Sequence, residues 1–284
     1  MRMNPSRLAL AVALACAAVS AQAAPSFRRV VIVMLENANY EDAVQQPFLK
    51  DFAARGALLT NYHAVAHPSQ PNYVALTAGT HDGVFGDGNV TLDARNIADL
   101  LEAKGKTWKA YAEGYPGNCF LGSSEGTYAR KHVPFLSFQD ITSDASRCAN
   151  VVDASSFAGD AARGTLPDYS FFVPDLNDDG HDTDVATADR WLSATFGTLL
   201  NDPSFMKGTL FVITFDEDDF FLRAGVMVDN HIYAALAGDM VAPGATSDAA
   251  YDHYSLLRTV EDGLGLGTLG QNDAQATPIA GVWK

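Results

Sequence analysis

Two uninterrupted runs of apolar, mostly β-branched or aromatic residues constrain the fold of this chain more than any other feature. Residues 30–35 (VVIVML) and 209–215 (TLFVITF) contain no charged side chain. Strands that are covered on both faces have continuous apolar sequences, whereas half-exposed strands alternate apolar and polar residues. The two runs therefore predict strands at the centre of a sheet that carries a layer on each face.

Segments with helical spacing alternate with the predicted strands along the chain. We predict further strands at residues 57–65, 107–112, 169–173 and 231–236, and helices at 47–55, 71–78, 96–104, 184–200 and 253–264. Gly56, Gly79 and Gly105 directly follow three of these helices, as is typical of helix ends. This order predicts an α/β fold, a three-layer α/β/α sandwich with a mostly parallel central sheet.

The first 23 residues have the pattern of a secretory signal peptide. Arg2 and Arg7 precede an apolar run at residues 8–19, and Ala21-Gln22-Ala23 is typical of a cleavage site. The apolar run is shorter than the roughly 20 residues that a membrane-spanning helix needs. We therefore expect an exported protein, periplasmic or secreted, without stable membrane insertion. Residues 24–284 are expected to form a single domain.

The composition is acidic, with 34 Asp and Glu residues against 19 Lys and Arg residues. We expect no nucleic-acid partner, because phosphate backbones are bound by basic surfaces. A small anionic substrate stays compatible with this charge if a metal ion reverses the local field. Nothing in the sequence implies a protein partner.

Two cysteines remain after the signal peptide, Cys119 and Cys148. A pair of cysteines in an oxidising compartment is expected to form a disulfide, although two separate buried thiols are the alternative. Both lie in residues 113–165, which are rich in Gly and Ser. We predict that this segment is a long insertion in the single domain.

Polar side chains follow four of the predicted strands. In chain order they are Glu36 and Asn37 after 30–35, Ser69 after 57–65, Asp175, Asp178, Asp179, His181 and Asp182 after 169–173, and Asp216, Glu217, Asp218 and Asp219 after 209–215. Ligands of parallel α/β sheets gather at the carboxyl ends of the strands. Carboxylate and amide oxygens suit a divalent cation. Any one of these clusters could be a solvated loop, but four at one edge favour a site.

Ser69 lies just before a predicted helix that has Pro71 in its first turn. The N-terminus of a helix favours an anion such as phosphate. A free hydroxyl is a weak nucleophile, and a bound divalent metal would activate it. A helix N-cap is the alternative role, because serine often has it.

Six segments resemble, in the same order, the bacterial phosphoesterase family of acid phosphatases and phospholipases C, which is part of the alkaline-phosphatase superfamily. They are MLENANY, HPSQPNYVALTAGT, VPDLNDDGHD, VITFDEDD, NHIYAALAG and DHYSLLRTVEDGLGL. The resemblance runs from about residue 30 to residue 266. It implies an alkaline-phosphatase-like α/β/α sandwich, in agreement with the strand and helix pattern.

The resemblance also implies roles for individual residues. It makes Glu36 and Asn37 the first metal-binding pair, Ser69 the nucleophile and a further metal ligand, and Asp216 with Glu217 the second metal-binding pair.

Three histidines lie in motifs that resemble the family's histidine positions, namely His181, His231 and His253. They would bind phosphoryl oxygens, ligate metal or protonate the leaving group, with His253 as the candidate for the last role. Each of them could instead be structural. Asp182 is a further candidate, as a ligand or as the residue that orients a histidine.

Together these features predict an exported phosphoric ester hydrolase that uses one or two divalent ions and a phosphoserine intermediate. We expect a phosphomonoesterase of the acid phosphatase type, acting on a small phosphorylated substrate. A phosphodiesterase or phospholipase C is the alternative within the same chemistry. A non-catalytic metal- or phosphate-binding protein is the alternative of another class, and it would not need the hydroxyl of Ser69.

Overall fold

An eight-stranded sheet forms the centre of the computed structural model, which describes residues 25–219 and 229–284. From one edge to the other its strands are β11 (Ala245–Ser247), β2 (Ala57–Leu59), β10 (Ala234–Ala237), β9 (Thr209–Phe215), β1 (Arg29–Leu35), β8 (Tyr169–Val173), β4 (Trp108–Ala112) and β7 (Val151–Asp153). β10 is antiparallel to both of its neighbours, and the other seven strands share one direction. The predicted mostly parallel sheet is confirmed.

Helices cover both faces of this sheet. They are α1 (Tyr40–Ala43), α2 (Pro47–Arg55), α3 (Ser69–Ala78), α4 (Ile97–Ala103), α5 (Gln139–Thr142), α6 (Ala145–Cys148), α7 (Ser156–Arg163), α8 (Val185–Leu200), α9 (Pro203–Met206) and α10 (His253–Leu264). α3 packs against α10, and α2 packs against α8. Every residue of β1, β8 and β9 is buried, as the apolar runs predict for strands with a layer on each face. The three-layer architecture is confirmed.

Side-chain caps determine where several helices begin. Asn96, the predicted first residue of a helix, is instead the cap of α4: its side chain accepts the backbone N–H of Ala98 at 3.0 Å, and the Asp99 carboxylate accepts the backbone N–H of Asn96 at 3.0 Å. Such a capping box satisfies two backbone donors that the first turn leaves free. Asp252 caps α10 in a similar way, because its carboxylate accepts the N–H of Ser255 at 2.8 Å.

Two predicted strands are shorter than the sequence indicates. The strand predicted at 57–65 is divided into β2 and β3 (Tyr62–His63), and β3 pairs with β12 (Tyr251–Asp252) in a separate small sheet. The strand predicted at 231–236 begins only at Ala234, because His231 and Ile232 pair with the β3 segment instead of the main sheet. Both differences arise because one apolar stretch passes from one sheet to another.

The segment 113–165 contains a two-stranded sheet of β5 (Ser124–Glu125) and β6 (Tyr128–Ala129), two 3-10 helices (Arg130–His132 and Pro134–Ser137), α5, α6, β7 and α7. A disulfide joins Cys119 to Cys148, with a Cα–Cα distance of 5.6 Å. This disulfide was expected from the sequence. It connects the loop after β4 to α6.

The prediction of a signal peptide concerns the N-terminal residues. The predicted signal peptide, residues 1–23, lies outside the described residues. Among residues 25–219 and 229–284, no helix has both the length and the apolar character needed to cross a bilayer.

A buried carboxyl group lies on α10, away from the carboxyl edge of the sheet. Glu261 is fully buried beside Asp273, whose carboxylate accepts the backbone N–H groups of Leu269 at 2.7 Å and Gln271 at 2.8 Å. Burial, together with the charge of Asp273, raises the pKa of Glu261 from 4.5 to about 9. Glu261 is therefore protonated in the folded chain at neutral pH.

We expect the double variant Cys119→Ala/Cys148→Ala to be less stable than the wild type. The disulfide closes a loop between residues separated by 29 positions, which is worth roughly 3 kcal/mol in the chain-entropy account. Guanidinium unfolding without reductant measures the loss, and reduced wild type should give the same midpoint as the variant. Equal midpoints for variant and oxidised wild type would contradict the prediction.

We expect Glu261→Gln to flatten the dependence of stability on pH. The folded chain keeps a proton on Glu261 that the unfolded chain releases, so the free energy of unfolding falls as pH rises from about 5 to about 9. Glutamine retains the neutral shape and cannot ionise. Thermal melts across this range should show a higher Tm for the variant at pH 8 to 9. The matched change at the exposed Glu125 should leave the slope as it is, and a wild-type slope in Glu261→Gln would be the contrary result.

Candidate active site

The register of two central strands brings the first pair of carboxylates together. Leu35 of β1 pairs with Phe215 of β9, so the next residues, Glu36 and Asp216, emerge side by side at the carboxyl edge. The backbone N–H of Asp216 donates to the carbonyl of Leu35 at 2.9 Å. Parallel pairing thus places two acidic residues next to each other, both at most 1% exposed.

Ser69 is the first residue of α3 and points at these carboxylates. Its Oγ lies 3.0 Å from Glu36 Oε2 and 3.2 Å from Glu217 Oε1, and the residue is 2% exposed. The cap position belongs to Pro68, and no side chain caps this helix. The alternative role of Ser69 as an N-cap therefore does not describe its geometry.

The N-terminus of α3 is less open to an anion than the sequence suggests. The backbone N–H of Gln70 donates to Asp87 Oδ1 at 3.0 Å. A carboxylate of the chain itself thus uses one of the free donors that would otherwise attract phosphate.

Asn37 places its backbone, rather than its side chain, against the acidic group. Its N–H donates to Asp216 Oδ1 at 3.1 Å. This requires a left-handed conformation with a φ of 50°, which asparagine adopts more readily than most residues. Among the described residues, the other oxygen, Asp216 Oδ2, is buried without a hydrogen-bond partner.

The electrostatics of this group fit a bound cation. Burial, followed by the charges of Asp216 and Asp179, raises the pKa of Glu36 well above its usual range. Burial and the charge of Glu217 do the same for the pKa of Asp216. Adjacent buried carboxylates repel each other unless a proton or a cation compensates their charge. With the free oxygen of Asp216, the donor set of Glu36, Asp216, Glu217 and Ser69 is suited to a hard divalent ion.

Tyr73, His132 and Asp179 complete the surroundings of Glu36. The Tyr73 hydroxyl donates to Glu36 Oε1, and His132 Nε2 lies 3.2 Å from the same oxygen. His132 Nδ1 lies 3.4 Å from Asp179 Oδ2. Glu36, His132 and Asp179 each place one donor atom within 4.8 Å of the other two, so this group could also hold a metal ion.

The sequence analysis placed Asp179 in the polar cluster after 169–173 without giving it a role, and it did not single out Tyr73 or His132. Tyr73 could have been found, because it follows Ser69 by four positions and therefore lies on the same helix face. His132 gives no such indication, since it belongs to a short 3-10 helix within 113–165.

His67, which also was not predicted, contacts the second acidic pair. Its Nδ1 hydrogen-bonds to Glu217 Oε2, and its Nε2 lies 3.4 Å from Asp218 Oδ1. His67 precedes Ser69 by two positions, so the short loop before α3 places the imidazole and the hydroxyl on the same side of Glu217.

His181 and Asp182 lie at the rim. His181 Nδ1 is 2.8 Å from Asp182 Oδ1, and its Nε2 is 3.4 Å from Lys131 Nζ. His181 and Asn37 also line a cleft of about 540 Å³ whose wall is mostly polar. The cleft also contains Asp219, three residues after Asp216.

The other two predicted histidines have different surroundings. His253 is fully buried, with Nε2 2.8 Å from the carbonyl of Asp216 and Nδ1 3.1 Å from the Tyr62 hydroxyl. Both of its ring nitrogens are thus engaged, and it holds the backbone that carries Asp216. His231 stacks on Tyr40 with ring centroids 4.1 Å apart, and its Nε2 lies 3.0 Å from the carbonyl of Thr60. The structure does not bring either ring to Ser69.

Comparison with known proteins agrees with this arrangement. The phosphoesterase family matches residues 38–267, most of the described chain. The chain belongs to the phosphoesterase family. The family and the fold indicated by the sequence motifs are therefore confirmed.

Two curated relatives match this phosphoesterase over most of its length. It is 35% identical to an acid phosphatase of Aspergillus fumigatus over 263 residues, which cover 88% of this chain and 58% of the relative. It is 33% identical to a phosphatidylinositol-3-phosphatase of Mycobacterium tuberculosis over 273 residues, which cover 93% of this chain and 86% of the relative. The chain thus spans about three fifths of the fungal relative.

A solved structure shows the same fold at low sequence identity. A protein of the alkaline phosphatase superfamily from Vibrio parahaemolyticus superposes with a TM-score of 0.63 and 15% identity, over 92% of this phosphoesterase and 72% of that chain.

We expect Tyr73→Phe to weaken metal binding without unfolding the phosphoesterase. The change removes only the hydrogen bond to Glu36, and loss of such a supporting contact typically costs about 10- to 100-fold in metal affinity or activity. Titration of Mn²⁺ or Zn²⁺ into chelator-treated protein measures the affinity.

Tyr169→Phe is the matched control for this prediction. The hydroxyl of Tyr169 is buried at the start of β8, and within the described part of the chain it has no hydrogen-bond partner. Its removal should therefore leave metal affinity unchanged. Equal affinities for wild type and Tyr73→Phe would show that the tyrosine does not support Glu36.

Proposed function

We propose that this phosphoesterase is an exported, metal-dependent hydrolase of phosphoric monoesters, with Ser69 as its nucleophile. The observation that supports this most directly is the position of the Ser69 hydroxyl, within 3.2 Å of Glu36 and Glu217. Since the hydroxyl does not cap α3, a catalytic role accounts for its burial among carboxylates. The two relatives described above are both named as phosphatases, which favours monoesters over diesters.

The hydrogen bonds of Ser69 suggest how its proton is removed. Its Oγ attacks phosphorus while the proton passes to a carboxylate oxygen, with Glu36 Oε2 the nearer at 3.0 Å. The bond from phosphorus to the alcohol oxygen breaks, and the leaving oxygen takes up, through solvent water, the proton that the carboxylate received from Ser69. Water then attacks the phosphoserine, releases inorganic phosphate and restores the proton to Ser69.

The acidic group requires a positive charge before an anionic ester can approach. Glu36, Asp216, Glu217 and Ser69 are the residues that would hold a divalent cation. Such an ion supplies charge that stabilises the phosphoryl oxygens and the nucleophile. Glu36, His132 and Asp179 provide ligands for a second ion if the site holds two.

Export is supported by two features of the chain. The first 23 residues have the pattern of a secretory signal peptide. The disulfide between Cys119 and Cys148 is the type of cross-link that persists in an oxidising compartment.

We expect Ser69→Ala to lose at least about 10³-fold in turnover of p-nitrophenyl phosphate, because removal of a nucleophile leaves only binding and electrostatic contributions. Chelation should abolish wild-type turnover, and a divalent ion should restore it. The assay is run from acid to alkaline pH, with bis-p-nitrophenyl phosphate beside the monoester.

Ser170→Ala is the matched control, because the Ser170 hydroxyl is buried in β8 and has no hydrogen-bond partner within the described ranges. This variant should keep wild-type turnover. Turnover that survives in Ser69→Ala would exclude the serine mechanism. No turnover with any divalent ion, combined with unchanged phosphate affinity in Ser69→Ala, would identify a binding protein instead.

A further inference from the structure

Lys131 is a mostly buried cation at the rim of the proposed active site. It lies in the 3-10 helix Arg130–His132, next to His132. Its Nζ is 3.0 Å from Asp87 Oδ2 and 3.4 Å from His181 Nε2, and its side chain is 18% exposed. An ammonium group has three N–H donors, so within residues 25–219 and 229–284 these two contacts leave one donor free.

Asp87 connects this ammonium group to the first turn of α3. One carboxylate oxygen of Asp87 accepts from Lys131, and the other accepts the backbone N–H of Gln70 at 3.0 Å. Gln70 directly follows Ser69. Two hydrogen bonds through a single carboxylate therefore join the cation to the helix turn that carries the proposed nucleophile.

The charges around Lys131 keep it protonated. Its Nζ pairs with Asp87 Oδ2 at 3.0 Å, and a lysine paired with a carboxylate is protonated at neutral pH. Glu36 and Asp216 are the residues proposed above to hold the metal ion. Lys131 directly precedes His132, whose Nε2 lies 3.2 Å from Glu36 Oε1, so this cation is carried beside the acidic group.

His181 helps to direct this ammonium group. Since Lys131 can only donate, His181 Nε2 must accept, and the proton of the neutral imidazole is then on Nδ1, which faces Asp182 at 2.8 Å. Asp182 thereby fixes the tautomer of His181 that accepts from Lys131. Asp87, His181 and Asp182 act on Lys131 as positioning residues.

We propose that Lys131 binds a non-bridging phosphoryl oxygen and selects phosphate monoesters over diesters. This proposal rests on the proposed function. A monoester carries two negative charges near neutral pH, whereas a diester carries one, and a cation at the phosphoryl group therefore favours the monoester. A cation is needed at this site for two reasons. Asp87 already accepts the backbone N–H of Gln70. Buried carboxylates also surround the site, namely Glu36, Asp179, Asp216, Glu217 and Asp218.

The test measures both ester classes with the metal-loaded enzyme. We expect Lys131→Met to lower kcat/KM for p-nitrophenyl phosphate about 10²-fold, as for the loss of one donor to a charged transition state. The loss for bis-p-nitrophenyl phosphate should be less than about tenfold, because its phosphoryl group carries less charge. The ratio of monoester to diester turnover should thus fall at least tenfold. Lys131→Arg, which keeps the charge, should recover part of the ratio.

A second measurement does not depend on turnover. Calorimetric titration of inorganic phosphate into the metal-loaded protein should give a dissociation constant at least about tenfold higher in Lys131→Met than in the wild type. Lys106→Met is the matched control. Lys106 pairs with Asp168, 3.7 Å away, at the opposite edge of the sheet, and its loss should change neither measurement.

Each outcome separates this proposal from the proposed function. Equal losses for both esters, or no loss, would overturn the selective role of Lys131 while Ser69→Ala still defines the nucleophile. If Ser69→Ala keeps turnover, the proposed function fails by itself. If Lys131→Met does not fold, Asp87→Asn tests the same contact: it retains the charge of Lys131 but weakens its anchor, and an unchanged ester ratio in that variant would also overturn the proposal.

Discussion

The mutual repulsion of buried carboxylates is the constraint around which this structure is organised. Glu36 and Asp216 follow paired residues of two central strands, so the sheet itself prevents them from separating. Hydrogen bonds reduce the free-energy cost of burying these two carboxylates. The hydroxyls of Tyr73 and Ser69 donate to Glu36, and the backbone N–H of Asn37 donates to Asp216. Ser69 and Tyr73 donate from the same helix, α3, whereas Asn37 donates from the loop after β1. At the carboxyl edge of the sheet, the arrangement of charged side chains therefore lowers the stability of the fold.

A protein with this much negative charge around its proposed phosphate site must supply positive charge locally. The net charge of the whole chain is −15, and it would repel an anionic ester at long range. A metal ion among the carboxylates and the ammonium of Lys131 would act over a few ångströms instead, where the surrounding protein screens little. The acidic composition and the proposed reaction are thus compatible because they operate at different distances.

Residues that directly follow a strand could be predicted from the sequence, and residues that reach the site from a long loop could not. Glu36, Asp216 and Glu217 were predicted because an apolar run has a visible end, and parallel strands end at a common edge. Ser69 was predicted from the helix that follows it. His132 and Lys131 come from segment 113–165, whose path back to the sheet depends on tertiary packing that no local periodicity records. His253 shows the opposite case, because its motif was recognised, yet the structure engages both of its ring nitrogens in support of Asp216.

The burial of α3 determines how Ser69 behaves when the protein unfolds. All ten residues of the helix are buried, from Ser69 to Ala78, so its backbone amides can exchange with solvent only when the surrounding layers open. Segments of this kind open with the global unfolding of a domain rather than by local fraying. Ser69 would therefore have no partly opened state of its own: on heating it would keep its position until the whole α/β/α sandwich unfolds.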